Sequence, residues 1–215
     1  MAKVTAPMLS LGASGTFGDA ITFAAWKGIQ YARQRVIPSN PNTTAQQAVR
    51  NAFTFATQVW KNAPSLVRDP WNRYAQGVAT VGYSEFVGFN TRNLNGESDL
   101  AAFVGSPGAK GGPPADAIVI TPGTEQLSVA FTTPTPPTGW TLDSIVAMAI
   151  RDQDPASEQL YTIVADEDDT GVGPVVLTGL TASELYLVSA WPIWTRPDGT
   201  TAYGPSINDT ATPTA

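Results

Sequence analysis

The 215-residue chain contains neither cysteine nor histidine. Without cysteine there is no disulfide, no thiolate metal site and no cysteine nucleophile. Without histidine the commonest general base and the commonest metal ligand are missing. Ser-His-Asp and Cys-His catalysis are excluded outright. Carboxylate pairs, Lys, Tyr and Ser-Lys arrangements remain open. The expectation is a protein that is not an enzyme and that holds no cofactor or metal. Charge is scarce as well, at 14% of residues, against an average of about a quarter. No stretch approaches the ~20 apolar residues of a membrane helix, so no membrane partner is expected. Pro7 and Ser10 interrupt the short apolar run near the start, which makes a poor secretory signal. The chain is therefore expected to be made in the cytoplasm and not exported.

What is present is a globular composition, 42% apolar with six Trp, eight Phe and six Tyr. The few charges are divided unevenly. Residues 1–112 carry ten cations and five carboxylates, whereas residues 113–215 carry two cations and thirteen carboxylates. Such a division gives the two halves different tasks. A basic half can dock on an acidic surface while an acidic half faces solvent. The cations are scattered along the sequence and match no nucleic-acid-binding motif, which argues against nucleic acid as the partner.

The Gly, Ser, Ala and Thr of residues 1–19 predict an extended arm. A hairpin follows. Ile21, Phe23 and Ala25 alternate with Thr22, Ala24 and Trp26. Lys27-Gly28 marks the turn, with Gly28 suited to a positive φ. The return strand carries Tyr31, Arg33 and Arg35 on one face. Two cations and an aromatic so placed can grip a partner. The candidate contact residues are therefore Lys3 in the arm and Trp26, Lys27, Tyr31, Arg33 and Arg35 in the hairpin.

Helical signals come next. Thr43 with Gln46 has capping-box spacing, and so has Thr44 with Gln47. The helix is expected over 45–61, with a stripe of Ala45, Val49, Ala52, Ala56 and Val59 flanked by Phe53 and Trp60. Asp69 and Pro70 predict a second helix over 70–78 that buries Trp71, Tyr74 or both. Ser84 caps a third segment holding Phe86, Val87 and Phe89 as core. Asn95-Gly96, Pro107-Gly108 and Gly111-Gly112-Pro113-Pro114 make 94–114 a linker by composition, with Leu100 to Val104 able to dock on a neighbour. Beyond it, seven short apolar runs alternate with turn signals: 117–120, 127–131, 145–150, 160–164, 175–177, 185–190 and 203–207. That number and spacing predict an immunoglobulin-like sandwich. The fold class is thus α+β, a β-hairpin-plus-helices module followed by an all-β sandwich. Its parts are an arm (1–19), the module (20–93), the linker (94–114) and the sandwich (115–215).

Three motifs bear on chemistry. Gly12, Gly15 and Gly18 form no phosphate loop, because no Lys-Ser/Thr ending follows. Asp166-Glu167-Asp168-Asp169-Thr170-Gly171 and Asp152 with Asp154 before Pro155 are acidic runs expected in loops. They lack EF-hand spacing. Alternation puts Trp191 and Ile193 on one face and Trp194 on the other. One Trp then belongs to the core, and Trp194 is the exposed contact candidate.

Two resemblances extend this reading. Leu127-Ser128-Val129-Ala130-Phe131-Thr132-Thr133-Pro134, and Leu180 followed six residues on by Tyr186, resemble an early strand and a later corner of fibronectin type III domains. The resemblance implies a two-sheet sandwich with Tyr186 at the corner contact. It departs at the core Trp, where Trp140 stands close to the third strand. The first part of the chain resembles small proteins often encoded by tailed phages, over about 80 residues. The shared elements are Gly15-Thr16-Phe17-Gly18-Asp19, Trp26-Lys27-Gly28, Tyr31-Ala32-Arg33 and Asn40-Pro41-Asn42-Thr43 with Gln46 and Arg50. Trp71, Phe86 and Asn90 follow. This second resemblance implies a virion structural protein that decorates or cements a capsid. Its partners would be the major capsid protein or other virion proteins, with self-association as a further expectation. A tail or surface adhesin that binds cell-wall carbohydrate through the sandwich is the alternative.

Overall fold

In the computed structural model the described residues are 2–3, 13–37, 39–40, 42–132, 134–152, 163–169 and 173–215. The chain divides into two compact units, Met1–Asn42 and Thr43–Ala215. The division falls before the helices, not in the Gly/Pro-rich stretch.

The first unit is a four-stranded antiparallel sheet of order β1-β4-β3-β2. Its strands are β1 (Ala2–Lys3), β2 (Gly15–Phe17), β3 (Ile21–Trp26) and β4 (Ile29–Gln34). Part of the expected arm is therefore sheet. Lys27 and Gly28 both adopt positive φ, 49° and 78°. Their left-handed conformations give the tight turn the twist that a two-residue hairpin needs.

The second unit begins with α1 (Thr44–Asn62), α2 (Ser65–Tyr74) and α3 (Gly82–Asn93). Thr43 caps α1, accepting from the Gln46 N–H at 3.3 Å. The buried face of α1 is Ala52, Phe55, Ala56 and Val59. This is an i, i+3, i+4, i+7 stripe, as expected, but rotated. Phe55 replaces the anticipated Ala45 and Val49, which are exposed, while Phe53 is half exposed. α2 starts five residues earlier than expected, with Pro70 inside it and Trp71 fully buried. Ser84 is interior to α3, whose N-cap is Val81. Among the described residues no helix is long and apolar enough to cross a membrane.

The strands that follow are β5 (Pro107–Ala109), β6 (Ile118–Gly123), β7 (Gln126–Phe131), β8 (Thr141–Arg151), β9 (Ile163–Asp168), β10 (Val175–Thr178), β11 (Tyr186–Thr195), β12 (Thr201–Pro205) and β13 (Ile207–Ala211). The seven expected strands are recognisable, and the last of them, 203–207, spans the junction of β12 and β13. The run 160–164 falls partly outside the described residues. One sheet has the order β10-β7-β6. The larger has the order β5-β12-β11-β8-β9, with β13 also paired to β11.

The larger sheet is covered on both faces. Val146, Met148, Ile150, Leu187 and Trp191 join a core with Phe55, Val59, Trp71 and Phe86 from the helices. Ala147, Ala149, Tyr186, Val188 and Ala190 face the other way, into a core with Leu127, Val129, Val175 and Leu177 of the smaller sheet. Successive strand residues point to opposite faces, so two-sided cover buries both parities. That is why Ser144 to Ile150 is buried without interruption. Helices, large sheet and small sheet form three layers. Tyr186 makes the anticipated corner, its hydroxyl accepting the Thr181 N–H at 2.9 Å.

The expected linker is instead a packed wedge. Leu94, Leu100, Phe103 and Ala109 are buried, and β5 pairs with β12. Local turns satisfy part of its backbone, as where the Phe103 N–H donates to Leu100 O at 2.8 Å, and side chains from outside the segment satisfy more. Asn90 donates to Val104 O at 3.2 Å and accepts the Val104 N–H at 2.8 Å. Asn208 donates to Phe103 O at 2.6 Å. Asp152 accepts the Leu100 N–H at 2.9 Å. Asn90 is itself fully buried. Asn90→Ala strands the Val104 amide and carbonyl away from water, a loss of about 1–3 kcal/mol. Urea denaturation checks this, and an unchanged midpoint refutes the clamp.

Candidate functional site

The sheet of the first unit has two chemically distinct faces. Residues directly opposite in an antiparallel ladder share a face. The pairs Trp26–Ile29, Ala24–Tyr31 and Thr22–Arg33 put Trp26, Ile29, Tyr31 and Arg33 together. Thr16 lies opposite Thr22, and their hydroxyl oxygens are 3.4 Å apart. Lys3 takes the register position opposite Tyr31. The other face holds Phe17, Ile21, Phe23, Ala25 and Ala32, with Gln30 and Gln34.

No described residue from 13 to 42 is buried. Trp26 is 66% exposed, Phe17 61% and Ile29 45%. Isolated sheets need an apolar face packed on something to gain stability from burial. Wide exposed apolar surface marks an interaction site. Charge on this unit is one-sided: Lys3, Lys27, Arg33 and Arg35 against Asp19 alone.

The cations differ in what holds them. The Lys27 ammonium sits 5.0 Å from the centroid of the Trp26 ring. This cation–π contact orients both groups at the hairpin tip. Arg35 is ion-paired with Asp19, and its N–H donates to Ala20 O at 2.7 Å. It closes the base of the hairpin with its charge partly neutralised. The Arg33 side chain is exposed and has no hydrogen bond or ion pair among the described residues, its backbone lying in the ladder opposite Thr22. Thus the sheet gathers Trp26, Tyr31 and Arg33 on one face, with Lys3 in register and Lys27 at the tip. Arg35 serves the hairpin itself. Ile29 and the Phe17/Ile21/Phe23 face were not among the candidate residues. Their signal was the strict alternation along β3 and β4.

Trp194 is a correction. It is fully buried, and its indole N–H donates to Pro113 O at 3.0 Å. Trp191 is fully buried too. Alternation does not separate core from solvent in a strand whose two faces are both covered. Trp140, in contrast, is only half-buried, with the Arg196 guanidinium 5.1 Å from its ring centroid.

The acidic run is a second correction. Asp166, Glu167 and Asp168 lie in β9, an edge strand, not in a loop. Charges on an edge strand discourage pairing with foreign strands. Asp168 accepts the Gly173 N–H at 2.8 Å. Among the described residues no three acidic side chains gather as a metal site. Thr170, Gly171, Asp154 and Pro155 lie outside the described residues.

Fold and corner together define the class. The second half of the chain is an immunoglobulin-like β-sandwich. No family model and no curated protein matches the chain. Among solved structures it is similar to a computationally redesigned β-sandwich protein, at 18% identity over 47% of this chain and 90% of that one, TM-score 0.33. It is also similar to the fn3 domain of the human collagen alpha-1(XX) chain, at 17% identity over 48% and 86%, TM-score 0.31.

Proposed function

We propose that this chain is a non-catalytic structural protein of a tailed-phage virion that decorates or cements the capsid. Its first sheet docks on an acidic face of the major capsid protein or another virion protein, and the acidic sandwich faces solvent. The observation that carries the reading is a sheet in which no described residue from 13 to 42 is buried and which presents Trp26, Ile29, Tyr31 and Arg33 together. Aromatic and Arg side chains are the groups that dominate protein interfaces. Four cations against one carboxylate suit a partner with exposed carboxylates. The net charge of −6 on the whole chain disfavours a polyanion such as nucleic acid. The phage resemblance supplies the setting. Lattice symmetry would let many weak contacts reinforce one another. The adhesin alternative loses Trp194 as a contact, since that residue is buried, and keeps only the loop near Asp198 and Gly199.

Quantitative mass spectrometry of purified virions tests the reading. The chain is expected at many copies, in a fixed ratio to the major capsid protein. Its absence from washed particles overturns the proposal.

A further inference from the structure

A cleft of about 430 Å³ opens within the second unit, between α2 and the hairpin that joins β11 to β12. Asp69, Asn72, Arg73 and Gln76 line one wall, and Thr201 and Tyr203 the other. The spacing 69, 72, 73, 76 is one face of a helical path, so all four side chains reach the same space. The volume is in the range of small-ligand sites, about 300–1,000 Å³.

The walls are fixed to each other. Arg73 Nε–H donates to Thr201 O at 3.1 Å, and its Nη1 donates to the Gln76 side-chain oxygen at 2.6 Å. The hairpin is tied internally. The Arg196 N–H donates to Thr200 O at 3.0 Å, and the Gly199 N–H to Arg196 O at 2.9 Å. The Thr200 hydroxyl and N–H both donate to Asp198, at 2.6 and 3.0 Å. These bonds, the hydroxyl first, hold the Asp198 carboxyl below its ordinary value. A site built this way need not be ordered by its ligand.

The lining chemistry selects the ligand. The Asp69 carboxylate offers acceptors and makes no hydrogen bond among the described residues. The Arg73 charge beside it leaves the cleft close to neutral, which disfavours ions of either sign. The Asn72 amide provides both donors and acceptors, and the Thr201 hydroxyl does likewise. Burial foremost, then the Asp69 charge, raises the pKa of Tyr203. Its phenol is a donor in the neutral range, as a tyrosine's ordinarily is, and its ring packs partly against the helix-side core. Neighbouring hydroxyls on a ring of carbon match this combination. From the geometry we infer that the cleft between α2 and the β11–β12 hairpin binds a neutral sugar.

The cleft is built wholly from residues of the second unit, and the test distinguishes it from the sheet of the first. Saturation-transfer NMR on the full chain uses methyl glycosides of glucose, galactose and mannose, together with N-acetylglucosamine. Saturation transfer to at least one of them is expected. Affinity should fall at least tenfold in the Asp69→Ala/Asn72→Ala double variant, with the thermal midpoint unchanged. Trp26→Ala should bind as the parent does. Both substituted residues are exposed. If the double variant nevertheless unfolds, Gln76→Ala, beyond the end of α2, provides the same readout. The inference is overturned by silence from all four sugars, or by variants that bind as tightly as the parent. Stronger binding of glycine or inorganic phosphate than of any sugar also overturns it.

Discussion

Trp71→Ala is expected to lower the unfolding free energy by about 3–5 kcal/mol, the cost of removing a large buried aromatic. Typical domains have only about 5–15 kcal/mol to lose. Trp71 is fully buried and donates to Gly105 O at 2.7 Å. Its ring meets Phe86 edge to face at 5.3 Å and Phe89 at 5.7 Å. The substitution therefore opens a cavity, removes aromatic contacts and strands a buried carbonyl of the wedge. These groups belong to the same core as Val146, Met148 and Trp191 of the large sheet. The helical and sandwich signals should consequently unfold together. Urea denaturation followed by far-ultraviolet circular dichroism and by fluorescence measures this. If the helical transition alone moved and the sandwich transition stayed in place, helices and sandwich would be separate cooperative units.

The second large effect concerns association. Trp26→Ala should weaken binding to purified capsids by about 2 kcal/mol or more, as for an interface Trp hot spot, or roughly 30-fold. Its signature should be faster dissociation. Arg33→Glu reverses an exposed charge, and should slow association and change its salt dependence. Trp26 is 66% exposed. Neither substitution touches a packed core, so unfolding free energies should stay within about 0.5 kcal/mol of the parent. Biolayer interferometry on immobilised particles separates the two rates. Parental kinetics for both variants would remove the sheet from the interface.

Some of these features could be read from a few neighbouring residues. The capping-box spacings of Thr43 with Gln46 and Thr44 with Gln47 placed the start of α1 to within a residue, because a cap is satisfied within one turn, and the structure takes Thr43. Lys27-Gly28 placed the hairpin, and alternation on either side of it separated the two faces now seen in register. The short strands after residue 115 were legible for the same reason, whereas the corner at Tyr186 was implied by the fibronectin type III resemblance. Other features had no local signal. Gly and Pro near residues 95–114 look like a linker unless the partners of their backbone groups are known. Those partners are remote in sequence: Asn208 for Phe103, Ser206 for Ser106, and Trp71 for Gly105. The cleft was equally hidden, since its second wall lies more than a hundred residues from its first.

Sequence alone determined the order of elements, the α+β class, the exclusion of histidine and cysteine chemistry, and the concentration of cations at the beginning of the chain. These follow from composition and from interactions spanning a few residues. Tertiary structure decided which face of α1 is buried. Ala45, Val49 and Phe53 are as apolar as Ala52, Phe55 and Val59, and only the position of the layers beside the helix distinguishes them. It also decided the environment of Trp194. In a sheet covered on both sides, burial depends on what lies across each face, and alternation along the strand does not record that.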